Sequence, residues 1–213
     1  MEEREKKAGI ALVPPKATIA ALIDFQEGVL KSIDLEPVWG FEKNLPHLSL
    51  LQGSFDRSSD FREILQDLRD WFPLKGVGLD VTFADYVPVG WFFLVTERPN
   101  WLRRLHERAV KLSAPHLIPP SRPVKKKIDH YTEAERTNYL RYGYRYIGDC
   151  FSPHITLGRV RRIEDVEVGK KCIADLLRWS EVPTRLPISE IAAFEVGENG
   201  AFAATLESVP LNV

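Results

Sequence analysis

The chain has 213 residues, of which 44% are hydrophobic and 28% charged, a composition typical of a folded globular protein and not of a disordered or fibrous one. Its 29 basic and 30 acidic side chains give a net charge of −1, which excludes a strongly basic protein that coats long nucleic-acid duplexes. A local surface that holds a short nucleic-acid end remains compatible with this balance.

Cysteine usage and hydrophobic run lengths indicate the class of protein. Cys150 and Cys172 lack the close spacing of a zinc motif or a disulfide framework, so we expect buried free thiols. The apolar run over residues 10–13 is too short for a signal-peptide core or a membrane span. We therefore expect a cytoplasmic protein without membrane contact. The length suits a single domain over residues 1–213, and we expect a monomer.

Hydrophobic periodicity predicts strands and helices in the first half of the chain. Short apolar runs bounded by turn residues indicate strands, and apolar residues at helical spacing indicate helices. In chain order we predict a strand over residues 9–13, a helix over 16–32, a strand over 46–52, a helix over 60–72, strands over 77–86 and 91–96, and a helix over 101–112. Asp60 and Glu63 resemble a capping pair at the start of the second helix.

The second half begins where this pattern breaks. Residues 114–129 hold four prolines and the lysines 125–127, which is typical of an exposed loop. We then predict a helix over 132–142, a strand over 153–159, a helix over 168–179, and a hairpin of strands 188–196 and 201–206. A strand with a histidine, a helix and a strand pair occur twice. This repetition predicts a bilobal α+β fold with pseudo-two-fold symmetry, two antiparallel-rich sheets, helices on the outside and a central cleft.

Two short segments share a pattern of proline, histidine, apolar residue, hydroxyl residue and apolar residue. They are Pro46-His47-Leu48-Ser49-Leu50 and Pro153-His154-Ile155-Thr156-Leu157. Side chains alternate along a strand, so each histidine shares a face with the hydroxyl two residues later, and the apolar residues anchor the other face. Because the histidines lie far apart in the sequence, the pattern predicts that they meet only in the folded protein, across the cleft.

This arrangement suits cleavage of a phosphodiester, which needs one group to remove a proton and another to donate one. A histidine has an unperturbed pKa near ~6.5, so both protonation states are accessible near neutral pH, and each transfer contributes roughly 10²–10⁴-fold. The hydroxyls of Ser49 and Thr156 can donate hydrogen bonds to the phosphate oxygens. We therefore predict His47 and His154 as catalytic residues, with no metal and no other cofactor.

The two segments resemble the paired H-x-[S/T]-x motifs of the 2H phosphoesterases, which include LigT-like 2′-5′ RNA ligases and 2′,3′-cyclic phosphodiesterases. The second motif continues as Gly158-Arg159, as is common in the LigT-like group. The resemblance implies a hydrolase acting on a cyclic or 2′-5′ phosphodiester of a nucleotide or RNA end, or a reversible 2′-5′ RNA ligase. Residues 114–150 form a longer stretch than in compact members, and residues 142–151 resemble a branch associated with phosphonate metabolism.

Several further residues have two interpretations. Arg159 is a candidate phosphate ligand, although strict alternation places it on the core side unless the strand bends. The lysines at 125–127 with Tyr131 either attract an RNA end or form a solvated loop, and the tyrosines at 142, 144 and 146 either stack on a base or cover a sheet edge. We expect the other histidines to be non-catalytic, with His106 at the boundary of a helix face.

Three alternatives to the two-histidine enzyme remain open at this stage. The histidines can be structural, they can belong to a zinc hydrolase, or the cleft can hold a nucleotide or RNA end without turnover. No cysteine or acidic residue stands at a metal-ligand spacing beside either histidine, which disfavours zinc.

Overall fold

The computed structural model describes residues 5–72, 78–87, 90–120, 128–179 and 184–211. This part of the chain forms two antiparallel five-stranded sheets and five α-helices. The strands are β1 Glu5–Val13, β2 Leu35–Glu36, β3 Leu48–Asp56, β4 Gly78–Val87, β5 Trp91–Thr96, β6 Leu117–Ile118, β7 His154–Val160, β8 Arg185–Pro187, β9 Glu190–Val196 and β10 Phe202–Pro210. The helices are α1 Lys16–Leu30, α2 Phe61–Trp71, α3 Asn100–Ser113, α4 Glu133–Tyr142 and α5 Val166–Trp179. The predicted α+β class with two antiparallel sheets is thereby confirmed.

The two sheets each contain one motif strand in an inner position. The first sheet has the order β10-β9-β1-β3-β6, and the second has the order β2-β7-β5-β4-β8. All the long predicted strands and helices are present, but the short edge strands β2, β6 and β8 were not predicted, because two or three residues are too few to show a period. The expectation of a plain loop over residues 114–129 was wrong at β6, which pairs with Ser54 and Phe55. The lysines at 125–127 lie outside the described residues.

Each sheet buries one face against a pair of helices. In the first sheet, the side chains of Leu48, Leu50 and Phe55 on β3 pack into a core with α2 and α3. The second packs the Ile155 and Leu157 side of β7 into a core with α1 and α5. Full burial of one such apolar side chain contributes about 1.5–3 kcal/mol, so these two cores fix the strands and leave their opposite faces for polar residues.

Helix starts follow the capping signals in the sequence. The Asp60 carboxylate accepts hydrogen bonds from the backbone N–H groups of Arg62 and Glu63, which confirms it as the N-cap of α2. Thr132 and Glu135 form a reciprocal capping box at the start of α4. Both caps satisfy backbone donors that the first helical turn leaves unpaired.

A β-bulge interrupts each motif strand at the same place in the motif. In β3, Ser49 pairs with Ala11 and Leu51 with Ile10, so Leu50 is an extra residue. In β7, Thr156 pairs with Phe93 and Gly158 with Phe92, so Leu157 is the extra residue. An inserted residue shifts the alternation of every side chain that follows it. The bulges therefore decide which residues after the hydroxyl positions share the histidine face.

Candidate active site

The two motif strands come together between the sheets. Strands β3 and β7 contact each other, although they belong to different sheets. His47 stands immediately before β3, and His154 is the first residue of β7. Both histidine side chains are half-buried. His47 and Thr156, which come from different motifs, line the same small cavity. The structure thus brings the two sequence motifs to one site.

Backbone carbonyl groups fix both histidine rings in the same tautomer. The Nδ1 atom of His47 lies 2.8 Å from the carbonyl oxygen of Leu45, and that of His154 lies 2.7 Å from the carbonyl oxygen of Ser152. A carbonyl oxygen only accepts, so Nδ1 carries the proton in each neutral ring and Nε2 carries the lone pair. Each acceptor belongs to the residue two positions earlier, across a proline whose fixed φ restricts the segment.

Aromatic rings enclose both histidines. The His47 ring lies 4.8 Å from the Phe194 ring and 5.3 Å from the Phe202 ring, measured between centroids. The His154 ring lies 4.4 Å from the Phe93 ring and 5.7 Å from the Tyr146 ring. These contacts hold the rings in place.

The enclosure keeps both histidines neutral. Burial lowers the pKa of His47 to about 4, against the hydrogen bond to Leu45, and repulsion from His154 lowers it further. Burial also lowers the pKa of His154, against the hydrogen bond to Ser152, and the positive charge of Arg145 adds to this effect. At neutral pH each Nε2 is therefore free of a proton and able to accept one.

The two motif hydroxyls have different partners. The hydroxyl of Ser49 lies 3.1 Å from Nε2 of His47, and it accepts a hydrogen bond of 2.9 Å from the side-chain amide of Gln52. Within the described residues, the Thr156 hydroxyl has no hydrogen-bond partner, and Thr156 lines the same cavity as His47. Thr156 is thus available to donate to a bound group, whereas Ser49 is engaged with His47.

The bulge in β7 changes the expected position of Arg159. Strict alternation would place Arg159 on the core side with Ile155 and Leu157, but Arg159 is exposed. It pairs with Trp91, whereas Thr156 pairs with Phe93, and Trp91 and Phe93 are two residues apart on β5. Side chains that are directly opposite share a face, so Arg159 lies on the face of His154 and Thr156. Its side chain lies outside the lining of the two cavities in the described part of the chain.

Buried polar side chains satisfy the carbonyl group of each bulge residue. His106 of α3 donates from Nδ1 to the carbonyl oxygen of Leu50, at 2.8 Å, and its Nε2 accepts from the backbone N–H of Gly148, at 3.1 Å. Gln26 of α1 donates from its amide to the carbonyl oxygen of Leu157, at 2.6 Å. A bulge leaves its extra residue outside the ladder, so each carbonyl group needs such a partner.

His106 is not the boundary residue that the sequence indicated. Its side chain is fully buried and stacks on the Phe151 ring at a centroid distance of 4.0 Å. Burial lowers the pKa of His106, and both of its nitrogens are occupied. The helical pattern predicts only which face a residue occupies, and the partners of a buried polar group come from distant strands and loops.

A larger groove of about 650 Å³ adjoins the small cavity, with which it shares Asn199 and Gly200. Three of the tyrosines that had two interpretations, Tyr131, Tyr144 and Tyr146, line this groove. Tyr142 packs instead against the core of the first sheet. The aromatic surface therefore borders the site.

Arg145 is a candidate binding residue that the sequence pattern did not single out. It lines the groove, forms an ion pair of 3.5 Å with Glu135, and its guanidinium lies 4.7 Å from the Tyr131 ring and 4.3 Å from the Tyr146 ring. The signal was its position between the alternating tyrosines 144 and 146. Its charge acts on His154, so it can also act on a phosphate bound there.

The described residues contain no group of three or more His, Cys, Asp or Glu side chains placed to share a metal ion. No described helix is both long and apolar enough to span a bilayer. Cys150 and Cys172 are half-buried free thiols.

Comparison with known proteins gives matches in structure only. No family model matches the sequence, and no curated protein matches it. E. coli LigT in complex with phosphate matches with a TM-score of 0.54 and 12% identity, over 99% of this chain and 100% of that chain. E. coli LigT in complex with 3′-AMP matches with a TM-score of 0.54 and 13% identity, over 98% of this chain and 99% of that chain.

The protein has the fold of E. coli LigT. The resemblance read from the two histidine motifs is confirmed at the level of the fold, and the match extends over nearly the whole of both chains. Usb1 of Kluyveromyces marxianus also matches, with a TM-score of 0.49 and 12% identity over 98% of each chain. In the LigT-like fold of this protein, the two motifs occupy the facing strands β3 and β7.

Proposed function

We propose that the protein is a metal-independent phosphodiesterase that hydrolyses a cyclic or 2′-5′ phosphodiester of a nucleotide or RNA end. The observation that carries this proposal is the equivalent setting of His47 and His154. Each ring has its Nδ1 proton bound to a carbonyl group, and a positive charge on His154 lowers the pKa of His47. Nε2 of one histidine can accept a proton while Nε2 of the other, once protonated, donates one, which suits a reaction that moves one proton in and one proton out.

In the proposed reaction, one histidine takes a proton from water as the water oxygen attacks phosphorus. The bond from phosphorus to the departing ribose oxygen breaks, and the other histidine gives that oxygen its proton. A bound phosphodiester is an anion, and a nearby negative charge raises the pKa of the histidine that must be protonated. The roles of His47 and His154 follow from the orientation of the substrate.

The hydroxyls and Arg159 are the proposed phosphate ligands. Thr156 supports this role best, because its hydroxyl has no partner among the described residues and the residue lines the cavity. Ser49 can contribute when its hydroxyl turns from His47 to a phosphate oxygen. Donors to the charge that develops on phosphate oxygens are worth more in a site that excludes water. Arg159 lies on the same strand face and supplies positive charge.

The groove supports a nucleoside as the group attached to the phosphate. Tyrosine rings stack on bases of any sequence, and such stacking contributes about 1–3 kcal/mol per base. Tyr146 touches the His154 ring and also lines the groove, so a base in the groove would lie beside the proposed reaction centre. E. coli LigT, whose fold this chain shares, has been solved with 3′-AMP.

The test is turnover of a nucleoside 2′,3′-cyclic phosphate by the purified protein in excess EDTA, beside His47→Ala and His154→Ala. His116→Ala is the matched control, because His116 lies outside both cavities. We expect hydrolysis in EDTA by the wild type and by the control, and loss in both motif variants. Activity that EDTA abolishes would overturn the metal-independent mechanism. Saturable binding of the nucleotide without turnover of cyclic or 2′-5′ substrates would indicate a binding module instead.

A further inference from the structure

A directional chain of hydrogen bonds leads from Gln52 to His47. The Gln52 amide nitrogen donates to the carbonyl oxygen of Gly200, at 3.1 Å, and to the hydroxyl oxygen of Ser49, at 2.9 Å. A carbonyl oxygen cannot donate, so the Gly200 contact fixes which end of the amide carries the protons. The Ser49 oxygen is thereby an acceptor, and its own proton is left for Nε2 of His47, at 3.1 Å.

The bulge at Leu50 makes this chain possible. In a regular strand, Gln52 would lie on the opposite face from Ser49, because the two are three residues apart. In the observed pairing of β1 with β3, Gln52 pairs with Gly9 and Ser49 pairs with Ala11. Partners two residues apart share a face, so Ser49 and Gln52 share the histidine face. Gln52 is half-buried and lines the groove.

Within the part of the chain that the structure describes, the second motif has no equivalent chain of hydrogen bonds. Counted from the histidine, Arg159 occupies the position of Gln52, and it is exposed. Thr156, the counterpart of Ser49, has no hydrogen-bond partner among the described residues. The motif repeats, but only its first copy directs a hydroxyl proton at the Nε2 atom of its histidine.

We propose that Gln52 is a positioning residue that holds the Ser49 hydroxyl on Nε2 of His47 until a substrate phosphate competes for the same proton. The inference rests on the proposed function. A phosphate oxygen is a stronger acceptor than a neutral imidazole, so the hydroxyl proton turns to it while Gln52 keeps the Ser49 oxygen in place. Nε2 of His47 is then uncovered for the proton of the nucleophile. Gln52 therefore couples phosphate binding to release of the base.

Gln52 also ties the turn between β9 and β10 to the site. Gly200 has φ of +83°, which favours glycine, and an added Cβ would lie 3.3 Å from the Gln52 side-chain oxygen. Since Gly200 lines both cavities, this contact fixes the wall between them. A purely structural role for Gln52 would act through this contact alone and would leave the Ser49 proton unaffected.

The test uses Gln52→Glu and Gln52→Met with Gln66→Glu as the control. A carboxylate at position 52 accepts the Ser49 proton, which reverses the chain, whereas methionine keeps the volume and removes the donors. Gln66 is exposed on α2, which packs behind the first sheet, so the control makes the same charge change away from both cavities. His154 is the titratable side chain that acts on His47 in the described part of the chain.

The first readout is the tautomer and titration of the His47 ring by NMR of its nitrogens, which requires no turnover. We expect the Nδ1–H tautomer in wild type, and a rise of about one pH unit in the His47 titration in Gln52→Glu, since an anion and a lost donor both favour the protonated ring. Gln52→Met should show a smaller rise, and Gln66→Glu none. A His47 titration unchanged in both position-52 variants would overturn the proposal.

The second readout is the split between kcat and KM with a cyclic nucleotide. Gln52→Met should lower kcat by roughly 3- to 10-fold, as expected for one lost hydrogen bond, with a rise in the pKa of the acidic limb. A change in thermal stability alone, with kcat and the acidic limb unchanged, would assign Gln52 a structural role and overturn the proposal. If the wild type lacks turnover, the proposed function fails, and the NMR titration still decides the role of Gln52.

Discussion

The two motif strands have the same local geometry and different surroundings. In both, a proline precedes the histidine, a carbonyl group binds Nδ1, and a bulge follows the hydroxyl residue. In the first, the hydroxyl is engaged between Gln52 and His47. In the second, the hydroxyl is free within the described residues, and Arg145 acts on His154. Repeated sequence therefore specifies the backbone of the two half-sites, while distant residues specialise them.

The cores behind the motifs show the same contrast. Both bulge carbonyl groups accept from a buried polar side chain of a packed helix, but one donor is His106 and the other is Gln26. His106 connects its bulge to Gly148, in the segment that leads to the second motif. Gln26 connects its bulge to Pro37 and Trp39, which line the cavity beside His47. Each donor thus links one motif to a segment next to the other.

The largest expected effect comes from removing both histidines together. His47→Ala and His154→Ala should each lower kcat/KM by roughly 10²–10⁴-fold. The kcat/KM of the double variant should be only slightly lower than that of the less active single variant, because an acid and a base that serve one reaction act as a unit. Single-turnover rates for the four proteins measure this. Losses that multiply would show two independent contributions and would contradict a shared proton-transfer scheme.

A smaller effect is expected on folding when the bulge donors are removed. His106→Leu leaves the Leu50 carbonyl group and the Gly148 N–H group without partners, and should lower the free energy of unfolding by about 2–6 kcal/mol, at about 1–3 kcal/mol for each of the two buried groups. Gln26→Leu removes the donor to the Leu157 carbonyl group in the other motif strand, and should lower the free energy of unfolding by a similar amount. Urea titrations measure both. Equal stability of His106→Leu and wild type would show that the first bulge does not depend on His106.

The same variant tests the pH dependence of stability. The pKa of His106 is lowered in the folded protein, so its contribution is present above the unfolded pKa of about 6.5 and is lost as the pH falls below it. The free energy of unfolding should therefore fall from pH 7 toward pH 5 in the wild type. The fall should be shallower in His106→Leu. An equally steep fall in both proteins would assign the effect to other groups.

Replacing the hydroxyls one at a time should separate the two half-sites. Thr156→Val removes one donor to phosphate and should lower kcat/KM by roughly 10- to 100-fold, the value of a hydrogen bond to a charged group, without moving the acidic limb. Ser49→Ala should lower kcat/KM and also raise the pKa of His47, because Ser49 donates to the unprotonated nitrogen. Identical pH profiles for both variants would contradict the difference between the motifs.

Sequence patterns predicted the long elements and the paired histidines because both depend on local periodicity. The alternation that places His47 beside Ser49 is a property of a strand, and it was sufficient for the face of each motif. The same rule failed at Arg159, because one bulge residue reverses every later position. Nothing in the five-residue pattern marks Leu157 as that residue, whose position shows only in the pairing of β7 with β5 and in the hydrogen bond from Gln26 of α1.

The partners within the site were beyond sequence analysis for a related reason. Gln52 and Gly200 are far apart in the chain, and only the pairing of β1 with β3 and β9 brings them together. Arg145 was visible only as part of a tyrosine-rich stretch, and its place beside His154 depends on the path of the chain after α4. Such long-range contacts have no local period to detect.

The most direct test of the two-histidine account is the pH dependence of kcat/KM for a nucleoside 2′,3′-cyclic phosphate. This parameter reports the free protein, in which the pKa of His47 is lowered to about 4 and that of His154 is lowered below its usual 6.5. Because the base must be unprotonated and the acid protonated, we expect a bell-shaped pH profile of kcat/KM, with its maximum below pH 6.5 and a decline toward alkaline pH. A flat profile from about pH 5 to 8, or a maximum on the alkaline side, would contradict the account.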